Sequence, residues 1–395
     1  MNETNDQLAY VLINPYTIYK SRTGGVITRL FTRTALDLVA ARMFAPTREL
    51  AEEYAATIVS AADPQDRKIQ ELIRQYILDN YAPDPKTGQR RRVMLLLFRG
   101  DDAVRRVRQA VGSIEPGRGP AGETIRDTYG DFIQDPSGNI KYFEPAVLAP
   151  PNSHEAAPKL KIWVKHSDAC GGLLEGVVQY RGRSNIERTL VLLKPDNFRF
   201  PSARPGNIVD LISRTGLYII AIKVHHLSVA EAEEFYGPVR AVLREKLGEV
   251  AGQRAAAAVE KEFGFTLPAE ARKQLGELIG PLFAETQFNN IVQFMTGRSP
   301  AECPAAEKKM PGPEKIVAIV YEGPDAVNKI RGVLGPTDPR KAAPGTIRRE
   351  LGQDIMVNAA HASDSAENAR REMEIIRIRE NNLQPLVEAF AGRKI

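Results

Sequence analysis

The chain has 395 residues, with 54 basic and 49 acidic side chains and a formal net charge of +5. That length allows two domains, each with its own core. So small a surplus of positive charge suits anionic small molecules and gives no argument for nucleic acid. The two cysteines, Cys170 and Cys303, form neither a metal-spacing motif nor a disulfide framework, which fits a reducing compartment. No apolar run approaches the ~18 residues of a membrane span. The polar start, Met1 to Gln7, lacks the basic and apolar regions of a signal peptide. The expected location is therefore cytoplasmic, with no membrane partner and no specific nucleic-acid partner.

Leu8 to Ile13 reads as a strand, stopped by Asn14-Pro15 because proline ends a strand. Gly25-Val26-Ile27 and Glu53-Tyr54 follow. A second apolar run, Val93 to Phe98, leads to Arg99-Gly100, then to Arg108, Ile114 and Gly122-Glu123-Thr124-Ile125-Arg126. Tyr142 to Val147 closes this half. Residues 151–186 are read as a connector. Its first part, with Pro150, Pro151 and Pro158, reads as loop; Lys159 to Lys165 reads as a short strand holding the only tryptophan, Trp163. Whether the connector packs on one domain or hangs loose is left open by the sequence.

Thr189 to Leu193 is a buried-strand run stopped by Lys194-Pro195-Asp196, which leaves a compact cation at the strand tip. Gly206-Asn207-Ile208 and Phe235-Tyr236 come next. Arg240 to Leu282 is rich in Ala, Glu, Lys, Arg and Leu, and Ala255 to Phe263 is a strong helix former. Gly264 to Pro268 is a turn, and Pro268 suits the start of a helix from Ala269 to Ile279. Two or three helices forming a hairpin are predicted. Ile316 to Tyr321 is a strand leading to Glu322-Gly323; a short helix carries Arg331, and a loop holds Thr337, Pro344-Gly345, Thr346 and Arg348.

Ile355-Met356-Val357 reads as a strand end before Asn358-Ala-Ala-His361-Ala-Ser363-Asp364-Ser365. Ser363 or Asp364 can cap the helix that follows, with Glu367 placed as in a capping box. His361 is expected on the turn between them, beside helix-start N–H groups that favour anions. A lysine, two arginines, a threonine and an asparagine are donors suited to a polyphosphate and a sugar. Histidine is the side chain suited to accept a phosphoryl group near neutral pH. Singly, Arg331 and Arg348 read equally well as solvated charges, Lys194 as a gatekeeper, Tyr236 as core and Glu372 as an exposed helix residue. Their order is what joins them.

The two halves repeat one another. Leu8 to Pro15 parallels Thr189 to Pro195, Glu53-Tyr54 parallels Phe235-Tyr236, and Val93 to Gly100 parallels Val317 to Gly323. Arg108 parallels Arg331, and Gly122 to Arg126 parallels Gly345 to Arg348. The first copy lacks the chemistry: Asn14 stands where Lys194 does, Ile114 where Thr337 does, and Val147 falls nearest the position of His361. Each copy runs strand, helix, strand, helical section, strand, helix, short strand or loop, the order of an α+β layer with helices on an antiparallel sheet.

The ordered set from Glu187 to about residue 378, centred on Asn358-x-x-His361-x-Ser363-Asp364-Ser365, resembles the nucleoside diphosphate kinase family. The resemblance implies two ferredoxin-like (βαββαβ) domains: a degenerate one over 1–150 and a catalytic one over 187–395 with a helical insertion at about 240–283. It implies that His361 is the nucleophile, taking the terminal phosphoryl group of a nucleoside triphosphate and passing it to a diphosphate. Lys194, Arg331, Thr337 and Arg348 would hold the phosphates, and Lys194 and Asn358 would reach the sugar hydroxyls. Tyr236 would lie beside the phosphates, Glu372 would fix the imidazole tautomer, and Ser363 would support that pair. Mg2+ would ride on the nucleotide phosphates, with no metal site in the protein, and the family's habit implies a homo-oligomer. The chain departs from the family at Ala362 and Asn197, where glycines are usual. It also has an insertion that puts Gln287 and Glu285 at the base-contact positions, so that Phe288 or Phe283 becomes the stacking candidate. Two other classes stay open: a non-catalytic nucleotide-binding or scaffold protein, and a phosphohistidine relay to protein acceptors.

Overall fold

Ten strands form in the computed structural model, which describes residues 6–114, 122–180, 182 and 185–392. They are β1 (Asp6–Ile13), β2 (Asp37–Phe44), β3 (Val93–Asp101), β4 (Asp131–Gln134), β5 (Ile140–Glu144), β6 (Val147–Leu148), β7 (Ile186–Leu193), β8 (Tyr218–His225), β9 (Ile316–Pro324) and β10 (Ala360–Ala362). Eight of these make two four-stranded sheets, in the orders β2-β3-β1-β6 and β10-β7-β9-β8; β4 and β5 pair with each other. Each sheet therefore runs fourth, first, third, second in the order of its own strands. The pairs β1–β3, β2–β3, β1–β6, β7–β9 and β7–β10 are antiparallel. The ends of the central strands β1 and β7, Ala9 to Ile13 and Leu190 to Leu193, are buried on both faces. That is why they read as continuous apolar runs rather than alternating ones.

The repetition extends to single backbone angles. Asp102 and Asp325 sit at φ 54° and 55°, Gly112 and Gly335 at 86° and 81°, and Ala146 and Ala359 at 59° and 69°. The helices between the first two of these pairs, Ala103–Val111 and Ala326–Leu334, are both nine residues long. Strand register corrects one sequence expectation. Ile13 pairs with Val147 and Leu12 with Leu148, whereas Leu193 pairs with Ala360 and Leu192 with His361. The residue at the place of His361 in the first copy is therefore Leu148, not Val147.

The chain forms two compact units, one of Met1–Val224, Val317–Met373 and Arg377–Ile395, the other of His225–Ile316 with Glu374–Ile376. Both sheets belong to the first. There the helices Thr23–Thr34 and Arg204–Ser213 cross at two glycines. A Cβ on Gly206 would stand 2.3 Å from the carbonyl oxygen of Gly24, and one on Gly24 2.5 Å from that of Gly206. Thr28 Oγ1 lies 3.4 Å from the carbonyl oxygen of Ala203 at this crossing.

The connector differs from the expected strand. Residues Ser153–Lys165 form a helix, capped by Asn152, whose side chain accepts from the Glu155 N–H, and Pro158 lies inside it. Alternation in Lys159 to Lys165 suggested period two, but Leu160 and Trp163 are three apart and both enter the core. The Trp163 ring stands edge-on to Phe44 at 5.0 Å, Tyr54 at 5.3 Å and Tyr81 at 6.1 Å. Leu383 and Val387 of the last helix, Leu383–Gly392, join the same core. Beyond Trp163 the connector runs along two sheet edges: Gly172 N–H donates to the Met43 carbonyl on β2 at 2.8 Å, and Leu174 N–H to the Ile220 carbonyl on β8 at 2.9 Å. It is a packed element of the first unit, not a loose linker.

In the second unit, helices Gly237–Phe263 and Ala269–Thr296 form an antiparallel-order hairpin across a turn with Gly264 at φ 72°. The second helix continues past Ile279 and through Pro281, longer than its composition suggested. Among the described residues no helix is long and apolar enough to cross a membrane.

The helix crossing is testable. Gly206→Val should lower the unfolding free energy by about 1–3 kcal/mol through overpacking. Gly332→Ala, whose new Cβ meets nothing within 4 Å inside a helix, should raise it by about 0.5–1 kcal/mol. Urea unfolding of the full chain measures both; equal effects of the two would contradict the crossing.

Candidate active site

His361 is the middle residue of β10, not part of a turn. Ile355 to Val357 is no strand: the Asp354 side chain accepts from the N–H groups of Met356 and Val357, both at 2.7 Å, and bends the chain there. The turn lies earlier than expected, at Ala359 with φ 69°, so Ala362 in place of a glycine introduces no strain; it is an ordinary strand residue. The following helix, Ala366–Ile375, is capped by Ser365, whose Oγ accepts from the Asn368 N–H at 3.0 Å. Neither Ser363 nor Asp364 has that role.

Ser363 is instead fully buried and donates to Glu372 Oε2 at 2.6 Å. The same oxygen lies 3.0 Å from His361 Nε2. A carboxylate oxygen accepts, so the ring donates Nε2–H and its lone pair sits on Nδ1 in the neutral tautomer. The His361 side chain keeps 21% of its exposure while Glu372 keeps 6%, which leaves the ring reachable and its partner sheltered.

Lys194 closes the other side. Its Nζ donates to the Met356 carbonyl at 2.8 Å and to Asn358 Oδ1 at 2.7 Å. Asn358 in turn donates to the carbonyls of Thr337 at 3.1 Å and Ile355 at 2.8 Å. Burial, and then the charge of Arg348, lower the Lys194 ammonium to about 8. Asn197, where a glycine is usual, contributes: its side chain donates to the carbonyls of Lys194 at 2.9 Å and Ala359 at 2.7 Å, tying the lysine to the turn before His361. The sequence marked Asn197 only as a departure from a usual glycine, without its bracing role, and Asp354 did not stand out at all.

Arg348 is half-buried and donates to the carbonyls of Gly335 at 2.9 Å and Ala360 at 3.2 Å. Arg331 and Thr337 are exposed. The Asp364 carboxyl is held below its usual range by the Asn368 hydrogen bond, with the charge of Arg331 adding to it. Lys194 and Asn358 are thus joined by one hydrogen bond and His361, Ser363 and Glu372 by two others, while Arg348 holds the backbone of β10 and Arg331 and Thr337 stay exposed.

Tyr236 and Phe288 belong to the second unit. Tyr236 is buried, with its ring 4.9 Å from that of Phe235. Phe288 is 1% exposed and carries the Arg240 guanidinium 4.8 Å from its ring centre. A ring covered in this way presents no open face to a base, which corrects the stacking expectation for Phe288. Glu285, at the expected arginine position, is taken up by ion pairs with Arg240 and Arg244.

In the first copy the same framework carries different residues. Asn14 is buried; it donates to Glu144 at 3.2 Å and accepts from Tyr81 at 2.7 Å, while Tyr76 donates to Glu144 at 2.7 Å. Arg126 donates to the carbonyls of Gly112 and Val147 at 2.7 and 3.3 Å, as Arg348 does to Gly335 and Ala360. Leu148 is 3% exposed. No nucleophile stands in the strand.

A family model described as nucleoside diphosphate kinase matches residues 272–381, the stretch holding Arg331, Thr337, Arg348, Asn358, His361, Ser363 and Glu372. A nucleoside diphosphate kinase of Anaeromyxobacter sp. is 34% identical over 187 residues, 47% of this chain and 86% of the relative. One from Campylobacter hominis is 31% identical over 210 residues, 53% of this chain and 99% of the relative. A solved structure of the Aquifex aeolicus enzyme is 29% identical, covers 50% of this chain and 98% of that one, and has a TM-score of 0.31. Relatives matched across nearly their whole length, together with a model that spans the segment around His361, establish that this chain belongs to the nucleoside diphosphate kinase family.

Proposed function

We propose that the protein is a nucleoside diphosphate kinase with one working site, acting through a phosphohistidine on His361. The observation that carries this reading is the Ser363–Glu372–His361 chain of hydrogen bonds beside the buried Lys194. With Nε2–H donated to Glu372, the Nδ1 lone pair attacks the terminal phosphorus of a nucleoside triphosphate. The N–P bond forms as the bond from phosphorus to the bridging oxygen breaks, and the diphosphate leaves with that electron pair. A second diphosphate then takes the phosphoryl group by the reverse step. Phosphoryl transfer depends on positioning and charge neutralisation more than on acid–base work, and the cations Lys194, Arg331 and Arg348 supply that charge, with Thr337 and Asn358 proposed as further nucleotide contacts.

The donor set around His361 is cationic and amide in character, and the carboxylates Glu372, Asp364, Asp354 and Asp196 are engaged by His361, Asn368, the Met356 and Val357 N–H groups and Arg204 in turn. This supports magnesium arriving on the nucleotide as part of the substrate. The first four-stranded sheet is proposed to be a degenerate ferredoxin-like copy, residues 1–150, that stabilises the second by packing; the catalytic copy is 187–395.

His361→Ala and His361→Asn should abolish both acid-labile labelling by radiolabelled ATP and transfer to a diphosphate, leaving the circular dichroism spectrum unchanged. Label retained by either variant would sink the proposal. Because Leu148 occupies the equivalent place, no residual label is expected from the first copy in the full chain.

Lys194 gives a pH signature. Its folded value, about 8, lies below the ordinary 10.5 of a lysine, so the unfolded chain binds more protons between those values and stability rises with pH across that window. Phosphate binding needs the charged form. Nucleotide affinity should thus hold steady below about pH 8 and fall above it by up to about tenfold per unit. Lys194→Met should bind more weakly and lose this fall. Calorimetric titrations between pH 7 and 9.5 check both slopes.

A further inference from the structure

A cavity of about 420 Å³ lies in the first unit, away from every residue named in the His361 site. Its wall combines segments of different origin: the arginine run before β3, the connector, the helix start after β1, Asn80, and Tyr218 of β8. Such a volume falls in the range of small-molecule sites. Among the described residues Arg90, Arg91 and Arg92 line it, and no aspartate or glutamate does.

The three guanidinium groups are held by backbone. Arg90 donates to the Ala45 carbonyl at 3.4 Å, Arg91 to that of Asp79 at 2.7 Å, and Arg92 to that of Ile219 at 2.7 Å. Each is half-buried, so solvent screens its charge less than at an open surface. Burial lowers Arg92 to about 10, and its nearest carboxylate influence, Glu322, is already engaged by Arg188 at 2.7 Å. Arg92 also lies over the Tyr218 ring, 5.0 Å from its centre. At the mouth, Tyr19 is 74% exposed and lines both this cavity and a smaller recess beside it. Asn80 and Gln179 add amide donors and acceptors to the wall.

Fixed forks of guanidinium match phosphate oxygens two at a time. An exposed tyrosine ring offers a stacking face to a base, and amides read its edge or the sugar. We propose that this cavity is a second nucleotide-binding site, with phosphates on Arg90, Arg91 and Arg92 and the base on Tyr19. It is built jointly by the first copy, the connector and β8, so its ligand bridges the two sheets. It is independent of phosphoryl transfer and does not require His361.

Calorimetric titration of the full chain with ADP tests this. The wild-type protein should bind two equivalents. The double variant Arg90→Gln/Arg91→Gln should bind one and keep its phosphoryl-transfer rate within about twofold. Lys194→Met should keep the cavity site, which separates a failure here from a failure of the kinase reading. Tyr19→Ala, a surface change that leaves folding intact, should weaken the cavity site by about tenfold, in line with base–aromatic stacking. A single equivalent in the wild type, unaffected by the arginine changes, would overturn the proposal. So would pyrophosphate binding at the cavity as tightly as ADP with no effect of Tyr19→Ala, since that outcome means a simple anion site.

Discussion

The framework depends on an arginine holding two backbone carbonyls. Arg348 joins the residue after the Ala326–Leu334 helix to the strand that carries His361, and Arg126 repeats the arrangement in the first sheet. Burying a guanidinium is unfavourable, and burial lowers Arg126 to about 9. Hydrogen bonds from a charged donor, each worth roughly 1.5–3 kcal/mol, offset that cost. Without them the short last strand, three residues in one sheet and two in the other, would have little to hold it. The arginine therefore has a structural task in both sheets, beside His361 in one and beside Leu148 in the other.

The two copies separate at the residues that carry charge toward a ligand. Lys194 and Asn14 start from the same strand end and the same bond to a left-handed alanine: Lys194 N–H to the Ala359 carbonyl, Asn14 N–H to that of Ala146. In one copy a cation is kept in a buried site at an electrostatic cost that an anionic substrate can relieve. In the other, Asn14, Glu144, Tyr76 and Tyr81 satisfy one another internally. A polar network that closes on itself has no need of a ligand. Trp163 and the last helix pack into the same core as the first sheet.

Much of this was legible in the residues. The strands, the repeat and the ordered set around His361 could be read because apolar runs ended by proline, and donors at set places, have few other causes. What escaped depended on partners distant in sequence. Lys159 to Lys165 alternates like a strand, yet the core offered by Phe44, Tyr54 and Tyr81 selects the helical face of Leu160 and Trp163. The register of the first copy's last strand could not be fixed without a histidine to mark it, and sheet pairing shifted it by one residue. The bend at Asp354 and the bracing by Asn197 are side-chain-to-backbone bonds, which leave no periodic trace. Phe288 had the right chemistry for stacking, but Arg240 covers its ring.

The crossing of Gly24 and Gly206 has a wider meaning. Where two identical subunits meet about a twofold axis, each substitution acts twice and the surface must complement itself. Joined in one polypeptide, the two faces are separate loci. Thr28 can meet the Ala203 carbonyl on one side of the crossing without any matching change on the other. Covalent linkage also keeps the halves at a high effective concentration whatever the protein concentration. Within one polypeptide the crossing is released from self-complementarity, so residues on its two sides can change independently.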